Sequence, residues 1–379
     1  MSMKLFYITR IRMPTEKAHG LQIAKMCEAY TQLGHDIELI VPLRKNHITD
    51  DAFTYYGLTE RFPITYIRIP DTIRFSKWVP FLAYWTQAIL FLRALTARPI
   101  PRDGIVLTRS FDVAWWYTRK GYTVVCEVHD WPRRHKWFAK FLLRKVPFIV
   151  SNSVGMSREL AIHGFTNTLV APNGVDIESL TPTRSREAIR EEWGIEKNEF
   201  LVLYIGALEA WKGYATLLEA SKKMSDVTVG IVGGKEQQLD SLRKEYPNVR
   251  FFGTQPYREI GNLQNIADVL VIPNDPHFKE DQAYTSPIKL FAHLTSGVPI
   301  VVTDLPTIRD VVGDDAVNFF DGSVDSLVRE ISTVQNNVEL AHNKALQAQG
   351  LAREHTWTKR AASIFEAVNQ QIKKTHLRH

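Results

Sequence analysis

Cysteine is almost missing from this chain: Cys27 and Cys126 are its two, and each sits in an apolar run. That leaves neither a disulfide framework nor a thiolate zinc site and points to a reducing compartment. Low-complexity tracts and fixed-period repeats are lacking too, so neither a disordered chain nor a solenoid is expected. Long unbroken apolar runs are scarce. The opening MSMKLFYITRIRMP reaches Arg10 and Arg12 too soon to be a signal peptide and reads as a first β-strand. The segment 74–93 is aromatic and aliphatic, but Pro80, Tyr84, Thr86 and Gln87 interrupt it, which suits a helix covering a sheet better than a membrane span.

What is present is length enough for two cores, 379 residues. Apolar β-type runs alternate with helix-period segments: 4–10, a helix over 19–33, then 36–42, 64–70, a long helix near 78–95, and strands at 104–108, 122–128 and 147–151. After the turn-forming Pro172-Asn173-Gly174 a second series follows at 200–206, 227–233, 249–253, 267–273 and 298–303. Repeated alternation predicts parallel sheets covered by helices, hence two Rossmann-like doubly wound domains. The charged stretch from Asp176 to Asn198 is the expected joint, giving domains over 1–178 and 179–356, with 357–379 as a terminal crossing helix and tail. Ligands of such folds bind at the carboxyl edges of the strands.

Charge is uneven. Within the first 175 positions lie 24 of the 47 basic but 13 of the 41 acidic residues, so that part carries a net charge of about +11 and the rest about −5. A basic half suits an anionic partner. The stretch 130–145 interleaves Arg133, Arg134, Lys136 and Lys140 with Trp131, Trp137 and Phe138, a pattern for an anionic membrane surface or a solvated basic helix face. No nucleic-acid recognition motif accompanies the charge, and nucleic acid is not an expected partner.

Two segments carry chemistry. In TSPIKLFAHLTSGVP (285–299), Thr285 or Ser286 is a candidate helix cap, Pro287 suits the first turn and Gly297 a stop. The result is either a capped structural helix or an anion site with Lys289 one turn in. In FLVLYIGALEAWKGY (200–214), Lys212 and Gly213 fall at a strand's carboxyl edge, and two lysines facing one cleft would neutralise a diphosphate. Asp275 and Asp281 do not complete a ligand set, so no metal is expected.

With PTEKAHGLQIAKMCEAY (14–30), CEVHD (126–130), SNSVGMSRELAIHGF (151–165), APNGVDIESL (171–180) and HTWTKRAASIFE (355–366), these segments in this order resemble the retaining glycosyltransferase family 4, of the two-domain GT-B fold. The resemblance covers nearly the whole chain. It implies two domains facing across a cleft, with Gly20 in a loop that lets backbone approach the substrates. It also implies a catalytic role for His129 against the transferred sugar, where the residues alone favour a packed histidine at a strand end. Lys212, Gly213, Ser286, Pro287, Ile288 and Lys289 would hold the donor's diphosphate. The implied reaction moves a sugar from a UDP- or GDP-linked donor to a glycan or lipid-linked acceptor, without metal or other cofactor, in the cytoplasm or on the inner face of the cell membrane. Two departures stand out. The family's frequent pair of glutamates is matched here by Tyr284 and Ala292, in the donor sugar and ribose region, and a frequent arginine by Ala207. Alanine cannot accept a hydrogen bond from ribose, which leaves a non-catalytic partner protein, or a sugar-nucleotide epimerase of similar shape, as the alternatives.

Overall fold

The computed structural model describes residues 3–75, 78–278 and 286–376. Two compact units emerge: one takes the chain up to Pro172 together with the segment from Trp357 onward, the other is Asn173–Thr356.

The first unit is a seven-stranded sheet built from β1 (Lys4–Ile8), β2 (Asp36–Pro42), β3 (Ile64–Ile67), β4 (Ile105–Thr108), β5 (Thr123–Val128), β6 (Phe148–Ser151) and β7 (Thr168–Val170), in the order β3-β2-β1-β4-β5-β6-β7. Every pairing is parallel. The central strands are apolar along their length because helices cover both faces; β4, Ile-Val-Leu-Thr, is buried at all its positions. Helix Ala18–Gln32 supplies Ile23, Met26, Ala29 and Tyr30 to one core. The last helix, Trp357–His376, adds Trp357, Ala361, Ile364 and Val368 to that core. These four recur at helical spacing on a single face. Each large apolar side chain so buried contributes roughly 1.5–3 kcal/mol, and the terminal helix is thereby an integral part of the first unit.

The second unit holds β8 (Phe200–Ile205), β9 (Val227–Val232), β10 (Val249–Phe251), β11 (Val269–Ile272), β12 (Ile300–Thr303) and β13 (Asn318–Phe320), a six-stranded sheet in the order β10-β9-β8-β11-β12-β13. Its pairings are again parallel. In each sheet the strand order reverses beside the unit's first strand, between β1 and β4 and between β8 and β11. Those are the switch points where loops diverge and leave room for a ligand.

The division falls at Pro172, ahead of the expected boundary after residue 178, and the charged stretch 176–198 is a built part of the second unit. Arg186 reaches Asp268 at 2.6 Å, Arg190 donates to the Ile266 carbonyl at 2.8 Å, and Thr183 N–H donates to Asn262 Oδ1 at 2.8 Å. The charges that suggest a solvated joint are used to fasten helix Arg186–Glu192 to the sheet. Among the described residues no helix is long and apolar enough to cross a membrane.

Candidate functional site

At the switch point of the second unit, β8 runs into the turn Gly206–Gly213. Gly213 has φ +65°, and a Cβ there would stand 1.7 Å from the Pro273 carbonyl oxygen, so only glycine lets this loop touch the loop after β11. Asp275 N–H donates to the Trp211 carbonyl at 3.1 Å, tying the same two loops. Lys212 Nζ lies 3.4 Å from the centroid of the Trp211 ring.

Lys289 projects from helix Ile288–Leu294 back over β8. Its Nζ donates to Tyr204 Oη at 2.8 Å and sits 4.2 Å from that ring's centroid. A Cβ on Gly206 would come within 2.0 Å of Nζ, so this approach also depends on a glycine. Burial, and then the charge of Lys212, hold the Lys289 ammonium well below the ordinary lysine pKa, with Glu209 opposing weakly. Lys212 is thus near enough for its charge to bear on Lys289, and the Gly213 contact sets the loop that carries Lys212 against the loop after β11.

The helix start differs from the expectation. Pro287 is the N-cap rather than a first-turn residue, and no side chain caps the helix. The Ser286 hydroxyl is taken by Asn173, whose backbone N–H donates to Oγ at 3.0 Å, because the loop after Pro172 folds over this corner. Tyr284 lies outside the described residues, as do Thr285 and Asp281. Ala292 packs its methyl against an apolar cluster, and its carbonyl accepts from Gln264 Nε2 at 3.0 Å. It presents no side-chain polar group to a ligand. Next to it, His293 Nδ1 lies 3.0 Å from Gln264 Nε2, while Nε2 is buried without a hydrogen-bond partner among the described residues. Burial, then the Lys289 charge, push His293 down to about 3, so its ring is neutral.

In the first unit the surprise is Glu127, one residue from the end of β5 and 2% exposed. Arg360 Nη2 donates to its Oε2 at 2.6 Å, Tyr7 Oη to its Oε1 at 3.1 Å, and Arg109 Nη2 stands 3.7 Å away. Burial opposes the carboxylate, but Arg360 and then Arg109 outweigh it and hold the carboxyl well below its usual range. His129 Nε2 lies 3.2 Å from Glu127 Oε2. Burial, then Arg109, lower the imidazole to about 3 against the pull of Glu127. A neutral ring beside a carboxylate carries its proton on Nε2, which leaves Nδ1 as the acceptor.

Gly20 is corrected from a loop residue to the first turn of helix Ala18–Gln32. A Cβ there would meet Tyr56 Oη at 2.2 Å. That hydroxyl accepts from Thr15 N–H at 2.7 Å and donates to the Thr15 carbonyl at 2.8 Å, so Gly20 makes room for the tyrosine that pins the preceding loop.

Sequence reading missed Glu127, Arg109, Tyr7, Arg360 and Tyr204. The one available signal was a glutamate inside the buried run TVVCEV, which demands a cationic partner.

With this geometry in place, comparisons with known proteins bear on it. Residues 185–350, which contain Lys212, Gly213 and Ser286–Lys289, match the family described as "Glycosyl transferases group 1". The D-inositol 3-phosphate glycosyltransferase of Mycolicibacterium smegmatis is 27% identical over 48% of this chain and 45% of its own length. The putative teichuronic acid biosynthesis glycosyltransferase TuaC of Bacillus subtilis is 22% identical over 82% of this chain and 83% of its own. The chain spans about half the length of the first curated relatives it matches. Among solved structures, Anabaena Alr3699/HepE in complex with UDP superposes with a TM-score of 0.74 at 15% identity, covering 97% of this chain and 100% of that one. The chain therefore has the two-unit, parallel-sheet fold of GT-B glycosyltransferases, and its second unit carries sequence similarity to group 1 glycosyl transferases.

Proposed function

We propose that this chain is a retaining, metal-independent glycosyltransferase of family 4 type that moves a sugar from a UDP- or GDP-linked donor to a glycan or lipid-linked acceptor. The observation that carries the reading is the Lys212–Lys289 pair at the switch point of the second unit, inside the region similar to group 1 glycosyl transferases. Burial and then the charge of Lys212 keep the Lys289 ammonium below its ordinary pKa, and a nucleoside diphosphate beside it would favour the charged form.

In the reaction, the bond from the sugar's anomeric carbon to the diphosphate oxygen breaks. A bond from that carbon to the acceptor oxygen forms on the same face, and the acceptor's proton passes to the departing phosphate. Lys212 and Lys289 offset the charge that grows on the leaving group. His129, neutral and oriented by Glu127, offers Nδ1 to a hydroxyl of the transferred sugar. With an imidazole pKa of about 3 it holds no second proton to donate at neutral pH. Titrating UDP, GDP and ADP into the folded protein and reading the melting temperature tests this: one nucleotide raises it, and Lys212→Met or Lys289→Met removes the rise. No rise with any of them overturns the reading.

Ala292 favours a second reading, a non-catalytic protein of the same fold, because its methyl is packed and its carbonyl occupied. Nucleotide binding without turnover on any acceptor would select it.

A further inference from the structure

The carboxyl edge of the first unit's sheet opens on two adjoining cavities. The larger, about 780 Å³, is lined by Arg10, Arg12, Lys17, Arg44, Lys45 and Arg74 against only Glu16 and Asp71 as carboxylates. Arg12 pairs with Glu16, and Arg10 Nε lies 3.1 Å from Asp112 in the neighbouring cavity. Among the described residues, Asp71 is then the carboxylate of this chamber that faces Lys17, Arg44, Lys45 and Arg74. Arg44 Nε is buried without a hydrogen-bond partner among the described residues. Its guanidinium is held below its ordinary pKa by burial, with Arg10 and Arg12 adding to the effect and Asp71 opposing it. His19, on the same wall, is pushed down to about 4 by burial and then by Arg109 and Lys17. Both shifts arise first from burial, and neighbouring cations add to each. Four arginines match the oxygens of a phosphate better than a single carboxylate would.

The smaller cavity, about 440 Å³, shares Arg10, Tyr84 and Ser110 with the first, so the two are continuous. Trp85, Ala88, Phe111, Phe138, Ala139 and Leu142 give it an apolar wall, beside which stand Arg109, Asp112, Asp130, Arg134 and His135. Trp85 and Phe138 hold helices Pro80–Thr96 and Lys136–Leu143 together, ring centroids 5.2 Å apart. On the same two helices Leu82, Ile89 and Trp137 are 63%, 53% and 71% exposed.

We propose that the first unit binds a lipid phosphate as its acceptor, with the phosphate in the cationic chamber and the hydrocarbon in the aromatic slot. The role as acceptor rests on the glycosyltransferase reading; the binding of the amphiphile does not. A soluble phosphorylated sugar would use the chamber and leave the slot empty, and an uncharged lipid would do the reverse.

Calorimetric titration of the full chain with farnesyl phosphate below its micellar concentration, with farnesol and with inorganic phosphate separates these cases. The expected result is farnesyl phosphate binding at least about tenfold more tightly than either of the others. Arg44→Gln with Arg74→Gln should bring its affinity down to that of farnesol, and Trp85→Ala should bring it towards that of inorganic phosphate. Unchanged circular dichroism shows that the variants are folded. Farnesol matching farnesyl phosphate, or inorganic phosphate matching it, overturns the proposal. Should farnesyl phosphate bind while no nucleotide does, the lipid-phosphate site stands and the glycosyltransferase reading falls; the converse outcome sinks this proposal alone.

Discussion

The first unit sets its most buried carboxylate, Glu127, among Arg360, Arg109 and Tyr7, whereas the second sets Lys289 against a phenol, a π face and another lysine. The two sheets share a topology and a switch point, so the contrast lies in charge. A charge met by partners of its own chain is scaffolding: Glu127 fixes the ring of His129 and the terminal helix that carries Arg360. A charge not so met is an invitation to a ligand, and both Lys289 and the Arg44 chamber fit that description.

The largest effect should come from breaking the compensated cluster. Glu127→Gln leaves Arg360, itself 5% exposed, buried without its carboxylate. Removing one partner of such a pair costs about 3–5 kcal/mol. Chemical denaturation read on the first unit's tryptophans should show that loss, and adding Arg360→Met should recover part of it. A loss under about 1 kcal/mol would mean that water reaches the cluster and the contrast between units is false. The same carboxyl predicts acid sensitivity. Its folded pKa is lowered, so its stabilisation is present above the ordinary glutamate pKa and is lost as pH falls below that value towards the folded one.

Next in size is Gly213→Ala, set against Gly121→Ala in the first unit. Both glycines have positive φ, +65° and +79°, and a Cβ on Gly121 meets nothing within 4 Å. Gly121→Ala should cost about 1–2 kcal/mol from backbone conformation alone. At Gly213 the collision with the Pro273 carbonyl is added, so unfolding measurements should show a clearly greater loss, together with weaker nucleotide binding. Equal losses would detach Gly213 from the site.

How much of this was legible in sequence follows from the range of each interaction. The parallel sheets were readable because β8 and β11 are apolar throughout, and β4 and β12 are apolar but for a final threonine, a local signature. Lys212-Gly213 and Ser286–Lys289 stand out as short strings, and they lie after β8 and after β11 of the second unit. Glu127 and Arg360 are 233 positions apart, and no local period links them. Asn173 read as part of a turn, yet its backbone occupies the Ser286 hydroxyl expected to cap the helix. Gly20 was found but placed in a loop, since the reason for it is Tyr56, far along the chain.

The smallest effect sharpens the comparison most, because it asks whether Lys289 is short of an anion. Its folded pKa is lowered, so between that value and the ordinary lysine pKa the unfolded chain holds the proton and the folded chain does not. Folding stability contributed by this group therefore rises with pH through that window, and Lys289→Met should leave the ligand-free protein at least as stable as the parent. A bound diphosphate reverses the preference by stabilising the ammonium. Nucleotide affinity should then fall roughly two- to tenfold as pH climbs through the lowered pKa, below the range of an ordinary lysine, and the protein should take up a proton on binding there. Calorimetry in two buffers of different ionisation enthalpy measures that uptake directly. In Lys289→Met the uptake should vanish and the residual affinity should be flat across the same window. Uptake that persists in the variant would assign the titration to another group and end the claim that Lys289 awaits a phosphate.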